Sequence, residues 1–166
     1  MISHQYEYRS GIGTDIHRLV PERKLMLGGI EIPFELGLLG YSDGDAVLHA
    51  ITDAVLGAAG QGDIGMLFPD TDPQFKNADS GELLRHAVWQ VSQQKWEIVN
   101  VDLIVHAQQP KLGPHRGQMR RRIAELLEID FANVNIKAKT NEGLDAVGEG
   151  RAVAATAVVM LRRKVK

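Results

Sequence analysis

Residues 42–54 read SDGDAVLHAITDA and carry the signals of a helix. Ser42 is placed to cap the N-terminus of a helix, with Asp45 at the capping-box distance from it. Gly60 can end the same helix, since glycine readily adopts the left-handed conformation common at that position. We therefore predict a helix over about residues 45–59.

Asp45, His49 and Asp53 follow one another at intervals of four, so they form a stripe along one face of this helix. Either carboxylate could orient the imidazole between them as an outer partner of a metal ligand. For Asp45 we favour stabilisation of the helix N-terminus instead. For Asp53, a role behind the metal ligands and an ordinary solvent-facing or capping role remain equally open.

A second segment, GIGTDIH at residues 11–17, carries two further groups that bind metals. Asp15 and His17 are two residues apart, and such side chains in a strand point the same way. Together with His49 they can grip one ion, although a single His is more often an ordinary polar residue. A structural zinc site is normally closed by four ligands, often Cys, and the chain has no Cys. Three N/O ligands and an open position are typical of catalytic zinc.

Length and composition fit one globular domain over residues 1–166, with 44% hydrophobic residues. The net charge of −2 gives no basic footprint for nucleic acid. The absence of Cys fits a reducing compartment, and neither a signal peptide nor a membrane-spanning run is evident. We therefore expect a cytoplasmic enzyme with no nucleic-acid or membrane partner.

The remaining patterns are typical of an α+β protein. Predicted strands cover about residues 6–14, 24–32, 97–108, 134–140 and 151–161, and further predicted helices cover about 79–94 and 115–128. Residues 61–78 read as a long ordered loop, a length that is usually functional. We expect a mixed β-sheet with helices packed on one face.

Strand 151–161 is rich in Ala and Val on both faces, so both faces need a cover. In a chain this small the second cover can come from another subunit.

Five motifs occur in a fixed order along the chain. They are DxH (15–17), SDGDxxxHxxxD (42–53), GDIGxLFPDTDP (62–73), AQxPKxxPHxxQMR (107–120) and VNIKAKTNE (134–142). This order resembles the 2-C-methyl-D-erythritol 2,4-cyclodiphosphate synthase family, which are trimeric zinc enzymes of the non-mevalonate isoprenoid pathway. The resemblance runs from about Gly11 to the C-terminal strand.

The resemblance implies an activity and a set of metal ligands. It implies conversion of 4-diphosphocytidyl-2-C-methyl-D-erythritol 2-phosphate to the 2,4-cyclodiphosphate with release of CMP, in a homotrimer assembled around packed sheets. Asp15, His17 and His49 would hold Zn²⁺, and Glu142 would contact a second cation, Mg²⁺ or Mn²⁺. Thr140 would stabilise the pentacovalent phosphorus.

The resemblance also implies substrate contacts. Asp63 and Gly65 would hold the ribose hydroxyls of the cytidine nucleotide. Phe68, Pro69, Asp70, Thr71 and Asp72 would line the methylerythritol side. The cytosine pocket would be formed by Ala107, Gln109, Pro110, Lys111, Leu112 and Gly113. Ser42, Lys139, Asn141 and Glu142 complete the expected substrate-binding set with Tyr41 and Thr140.

The chain departs from the family at two places. Tyr41 stands where a phosphate-contacting His usually precedes the SDGD serine, so we assign Tyr41 both a catalytic and a binding role. Residues 144–150 read LDAVGEG, whereas relatives usually have GRGEG. In relatives the Arg of that run lines a cavity on the threefold axis that can hold an isoprenoid diphosphate, so the resemblance leaves open whether this chain binds that ligand.

Two other interpretations remain open at this point. One is a zinc phosphohydrolase acting on cytidine diphosphate-linked substrates, which the lack of an evident water-activating base disfavours. The other is a non-catalytic nucleotide-binding trimer with structural zinc. The products formed from the diphosphocytidyl substrate would distinguish all three.

Overall fold

A computed structural model of the chain describes residues 5–165. Its strands are β1 Tyr6–Val20, β2 Leu25–Leu27, β3 Ile30–Ile32, β4 Gly37–Leu38, β5 Glu97–His106, β6 Val134–Lys139 and β7 Ala152–Lys164. Its helices are α1 Ala46–Ala59, α2 Ile64–Leu67, α3 Ser80–Gln93, α4 Arg116–Leu127 and α5 Asp145–Gly148. Short 3₁₀ turns lie at Pro73–Phe75, Gly113–His115 and Phe131–Asn133.

Five strands form one sheet in the order β4-β1-β7-β5-β6. Strands β5 and β6 are parallel, and the other neighbouring strands are antiparallel. The α+β class with a mixed sheet is therefore confirmed. Over residues 5–165, no helix has the length and apolar character needed to cross a bilayer.

Side chains of β7 alternate between a buried and an open face. Val153 and Val159 are fully buried in the core, which α1 and its neighbouring helices complete. On the opposite face Val158 is 45% exposed, and its register partner Ile12 is 67% exposed. The predicted apolar character of both faces is thus present, and within the described chain only one face is covered.

Helix α1 lies unusually close to β1 because glycines face it. A Cβ built on Gly13 would lie 2.0 Å from the Ala50 carbonyl oxygen, and one on Gly11 would lie 2.0 Å from that of Ala54. No side chain fits in that space. The two glycines therefore bring the strand that carries Asp15 against the helix that carries His49.

Three details differ from the sequence-based expectations. Strand β1 continues to Val20, because residues beyond the predicted end still pair with β7 and β4, so the DxH pair lies inside the strand. The predicted strand 24–32 is a hairpin, since Gly28 and Gly29 both have positive φ and form its two-residue turn. The predicted loop 61–78 contains α2 and a 3₁₀ turn.

Candidate metal centre and substrate pockets

Asp15, His17 and His49 meet at one point, as the sequence predicts. The Asp15 Oδ2 atom lies 2.8 Å from Nε2 of His17 and 2.9 Å from Nδ1 of His49. The two imidazole nitrogens are 3.1 Å apart. The three ligand atoms thus form a triangle, although 34 residues separate Asp15 from His49 in the sequence.

The triangle fits a zinc ion. Tetrahedral zinc with N/O ligands at about 2.0–2.1 Å keeps neighbouring ligand atoms about 3.3–3.4 Å apart. The triangle needs only a small expansion to reach that size. On the remaining side an ion would face the pocket, which leaves a position for a phosphate oxygen or water.

Hydrogen bonds on the far side of each imidazole hold its orientation. His17 Nδ1 donates to the Leu39 carbonyl oxygen at 2.6 Å, which leaves Nε2 free to bind a metal. His49 Nε2 lies 3.0 Å from the Ser42 hydroxyl and 2.9 Å from the Ser80 hydroxyl. Its Nδ1 is therefore the atom that faces Asp15.

Electrostatics favour an ionised Asp15. Burial alone would raise the pKa of Asp15, but hydrogen bonds and charge from His17 and His49 outweigh burial and hold this pKa well below its usual range. Burial lowers the pKa of His17, whereas the hydrogen bond to Asp15 and its charge raise it, with a net upward shift. Asp15 therefore offers an ionised carboxylate oxygen to a cation.

Asp45 is a helix cap, as the sequence favoured. It is fully buried, and its carboxylate accepts hydrogen bonds from the backbone N–H groups of Val47 and Leu48 at the start of α1. It also accepts from Gly28 and Gly29 in the hairpin turn. Burial raises the pKa of Asp45, and the backbone N–H groups act in the opposite direction.

The expected capping role of Ser42 is wrong, since Asp45 occupies the N-cap position. The Ser42 hydroxyl instead lies beside His49. Asp53 accepts a hydrogen bond from the Ile64 backbone N–H at 2.7 Å, which ties α1 to α2. Burial raises the pKa of Asp53. Of the two roles left open for Asp53, this contact supports the capping one, because the carboxylate accepts from the first residue of α2.

A pocket of about 290 Å³ opens beside the metal triangle. Its lining includes the following residues of the expected site: Asp15, His17, Tyr41, Ser42, His49, Gly65, Phe68 and Asp70. Asp63, Pro69, Thr71 and Asp72 lie in the adjoining loop without lining it. The Tyr41 hydroxyl donates to the Asp72 carbonyl oxygen at 3.1 Å, so it links the two loops at the pocket mouth.

A second pocket, of about 160 Å³, lies elsewhere on the protomer. It is lined by Ala107, Gln108, Pro110, Lys111, Leu112, Ala138, Lys139 and Thr140. The expected cytosine segment therefore does form a pocket, although Gln109 and Gly113 do not line it. The two pockets share no lining residue.

Residues 140–145 form a tight turn beside the second pocket. The Thr140 hydroxyl donates to the Glu142 carboxylate at 2.6 Å. Asn141 bridges two groups, since its Nδ2 donates to Asp145 at 2.8 Å and its Oδ1 lies 2.7 Å from His106 Nδ1. Thr140 and Glu142 are both exposed, so their side chains are available to a ligand.

Sequence reasoning missed several residues of these pockets. Ile64, Phe75 and Leu83 supply apolar surface to the first pocket, and Gln108 belongs to the second. The contact of Ser80 with His49 was also not predicted from the sequence. Ser80 begins α3 and is 38 residues from Ser42, so no local spacing connects it with the site.

These features define an α+β protein with three potential metal ligands grouped at the edge of a pocket. The model of the YgbB family matches residues 8–162. A 2-C-methyl-D-erythritol 2,4-cyclodiphosphate synthase from Neisseria gonorrhoeae is 59% identical over 155 residues, which cover 93% of this chain and 97% of the relative. The chain therefore belongs to the YgbB family, the family of the 2-C-methyl-D-erythritol 2,4-cyclodiphosphate synthases.

Solved structures agree with this assignment. One of them, a 2C-methyl-D-erythritol-2,4-cyclodiphosphate synthase in a form bound to CDP, has a TM-score of 0.86 and 42% sequence identity. That match covers 92% of this chain and 99% of the other. An IspF–CDP complex from Plasmodium falciparum has a TM-score of 0.84 and 37% identity, covering 95% and 97%.

Proposed function

We propose that Asp15, His17 and His49 bind zinc and that this centre serves the reaction of the family. The chain catalyses conversion of 4-diphosphocytidyl-2-C-methyl-D-erythritol 2-phosphate to 2-C-methyl-D-erythritol 2,4-cyclodiphosphate, with release of CMP. This is a step of the non-mevalonate pathway to isoprenoid precursors. The observation that carries the role of the centre is the ligand triangle at the edge of the first pocket.

The reaction needs no nucleophile from the protein, because the 2-phosphate of the substrate attacks the diphosphate and CMP leaves. The bond that forms joins an oxygen of the 2-phosphate to the phosphorus nearer the methylerythritol, and the bond that breaks joins that phosphorus to the CMP oxygen. When bound, zinc supplies a Lewis acid that neutralises phosphate charge. The protein has to position both phosphates and exclude water.

The arrangement also has the spacing of a Ser–His–Asp hydrolase triad. The two nitrogens of His49 lie 3.0 Å from the Ser42 hydroxyl and 2.9 Å from the Asp15 carboxylate. Ser42 is only 7% exposed, and its hydroxyl also contacts Ser80 and the Gly44 N–H. His17 stands beside Asp15, where such a triad needs no second imidazole. A metal centre accounts for all three ligand groups, whereas a serine nucleophile leaves His17 without a role.

Substrate positioning falls to groups at both pockets. Tyr41 can donate a hydrogen bond to a phosphate oxygen at the first pocket, where its hydroxyl is 3.1 Å from the Asp72 carbonyl. Lys111 at the second pocket can approach a phosphate, and backbone groups of 107–113 can read the cytosine edge. Thr140 would donate to an oxygen of the pentacovalent phosphorus, and the exposed Glu142 carboxylate would contact Mg²⁺ or Mn²⁺.

The two pockets would form one site in a homotrimer. The metal pair lies on β1, and Thr140 follows β6, which is three strands away in the sheet. Three interstrand spacings separate β1 from β6 by about 14 Å. This distance is too long for the metal ligands and Thr140 of one protomer to contact the same diphosphate. The uncovered apolar face with Ile12 and Val158 supplies a surface for a second copy. Neighbouring protomers would then bring the metal pocket of one against the cytidine pocket of the next.

We further propose that residues 1–166 form one domain that works in the cytoplasm. Its partners would be the cytidine diphosphate-linked substrate and two further copies of the chain.

Product analysis tests the proposal most directly. Purified protein with zinc and magnesium is incubated with the diphosphocytidyl substrate, and the products are separated by anion exchange and identified by ³¹P NMR. We expect the cyclic diphosphate and CMP in equal amounts. Linear bisphosphate with CMP would establish a hydrolase instead, and intact substrate would leave only a binding protein.

A further inference from the structure

Behind His49 lies a chain of polar contacts that leads away from the metal centre. His49 Nε2 is 2.9 Å from the Ser80 hydroxyl, and this hydroxyl donates to the Asp43 carboxylate at 2.5 Å. The Ser80 backbone N–H also donates to Asp43, at 3.1 Å. Asp43 therefore holds Ser80 by two hydrogen bonds, at the first turn of α3.

These contacts have a defined direction. The Ser80 hydroxyl has one proton, and the Asp43 carboxylate accepts it. Toward His49 the same hydroxyl oxygen can then only accept. When a metal binds Nδ1, the imidazole proton has to lie on Nε2, and the Ser80 hydroxyl oxygen is placed to accept it.

The site is enclosed, which makes these contacts strong. Ser80 has no exposed surface, and the His49 side chain is 12% exposed. The Nε2–H group of a metal-bound His49 would have to find its acceptor among neighbouring side chains, and the Ser80 and Ser42 hydroxyls lie within reach. A buried polar group that loses its partner is costly, so removal of the Ser80 hydroxyl should weaken the site.

We propose that Asp43 and Ser80 are positioning residues that hold the His49 imidazole in its metal-binding orientation. The inference rests on the proposed metal centre, and it assigns a task to two residues that touch neither ion nor substrate. In metal sites a ligating imidazole commonly donates its other N–H to a carboxylate or carbonyl. Here the carboxylate acts through an intervening hydroxyl.

The test measures binding of zinc alone, by competition with a chromophoric chelator. Removing such an outer partner of a metal ligand weakens metal affinity by roughly 10–100-fold. We expect Ser80→Ala to raise the zinc dissociation constant within that range. Asp43→Asn retains an acceptor for the Ser80 proton without the charge, so it should produce a smaller increase.

Thr52→Val is the matched control. Thr52 is fully buried on α1, as Ser80 is on α3, and its hydroxyl donates only to the Leu48 carbonyl oxygen. This variant removes a buried hydroxyl at nearly constant volume without touching His49. We expect its zinc affinity to stay within about twofold of that of the parent. Equal losses in Thr52→Val and Ser80→Ala would assign the effect to general loosening and overturn the proposal.

Rescue by a conservative variant provides a readout that general loosening does not move. Ser80→Thr keeps a hydroxyl at this position, so we expect its zinc dissociation constant to return toward that of the parent. A Ser80→Ala variant with the zinc affinity of the parent, or a Ser80→Thr variant that binds zinc as weakly as Ser80→Ala, would refute the inference.

The outcome separates this inference from the proposed function. A parent that makes no cyclic diphosphate but shows the Ser80→Ala effect on zinc would remove the function and leave the positioning role in place. A fully active parent whose Ser80→Ala variant binds zinc unchanged would remove only the positioning role.

Discussion

The Asp15 carboxylate lies 2.9 Å from Nδ1 of His49, so a β-strand and a helix each carry part of the candidate metal centre. Neither element could form the centre alone, because β1 supplies two ligands and α1 supplies the third. The affinity of the centre for metal therefore depends on how firmly α1 packs against the sheet.

We expect one zinc per subunit, and we expect its loss in His17→Ala and in His49→Ala. Each variant leaves two ligands, too few for tight binding. Plasma emission spectrometry of protein dialysed against trace zinc measures the content. His115→Ala serves as the control, since this His lies outside the triangle. If both triangle variants retained zinc at the parental level, the ion would have to bind elsewhere.

Mixed trimers test whether neighbouring subunits share a site. The partner variants must come from different pockets, and α2 places Asp63 beside the metal pocket, so Thr140→Ala is the appropriate partner for His49→Ala. Random mixing of the two inactive chains in a head-to-tail ring restores about a quarter of the sites. Unfolding, mixing and refolding, followed by the CMP release assay, measures this recovery. Complete inactivity of verified mixed trimers would place each site within one subunit.

Tyr41→Phe should lower kcat by roughly tenfold, as expected for one lost hydrogen bond worth about 1.5 kcal/mol. Tyr41→His should preserve activity and add a titration near the ordinary imidazole pKa of about 6.5. The structure adds a way to separate two roles, because the hydroxyl also holds the Asp72 loop. A change confined to KM would indicate a loop-holding role, and parental kinetics would make Tyr41 a bystander.

Asp45→Ala should destabilise the protein by about 3 kcal/mol, from loss of the helix cap and of partners for two buried N–H groups. Urea unfolding followed by circular dichroism gives the free energy of unfolding. Asp79→Ala is the matched control, since Asp79 caps α3 through one hydrogen bond to Gly81 and is exposed. It should cost about 1 kcal/mol. Equal costs would mean that the hairpin contacts of Asp45 contribute nothing.

The turn at residues 140–145 should show its own pH dependence. The hydrogen bond from Asn141, helped by the Gly148 and Val147 N–H groups, lowers the pKa of Asp145. A lowered carboxyl pKa stabilises the fold above the ordinary value of about 3.9, and this contribution is lost as the pH falls through the lowered value. Asn141→Ala should move the pKa of Asp145 upward.

Carboxyl ¹³C NMR titration measures that shift. Asp102 is an internal reference, because its pKa is lowered by Lys137 on the open face of the sheet and should not respond to Asn141→Ala. If Asp145 titrated identically in the parent and the variant, Asn141 would not hold the turn through this carboxylate.

The three grouped ligands were predictable from sequence because each lies in a recognisable motif. Period 2 aligns Asp15 with His17 within the DxH motif, and His49 belongs to the SDGDxxxHxxxD motif. The Asp43–Ser80 contact was not predictable, because 37 residues separate the pair and only the packing of α3 brings them together. The helix cap was misassigned for a related reason, since the Ser42 hydroxyl is engaged by His49 and leaves the cap to Asp45.

The end of β1 and the β2–β3 hairpin could not be predicted from local sequence patterns either. The length of a strand depends on the strands that pair with it. Strand β1 extends to Val20 because it pairs with β7 as far as Arg18 and with β4 at its last two residues. The division of the substrate residues between two pockets follows from strand order, which sequence alone did not provide.

The close approach of α1 to β1 at Gly13 affects how precisely the metal ligands can be placed. Metal–ligand distances are fixed to within about 0.2 Å, whereas a methyl group at this position would fall about 1.4 Å short of an ordinary 3.4 Å contact with the Ala50 carbonyl. One added carbon would thus exceed the allowed error several times over. The spacing between β1 and α1 at Gly13, a residue that binds no metal itself, therefore determines whether Asp15 and His49 can bind the same ion.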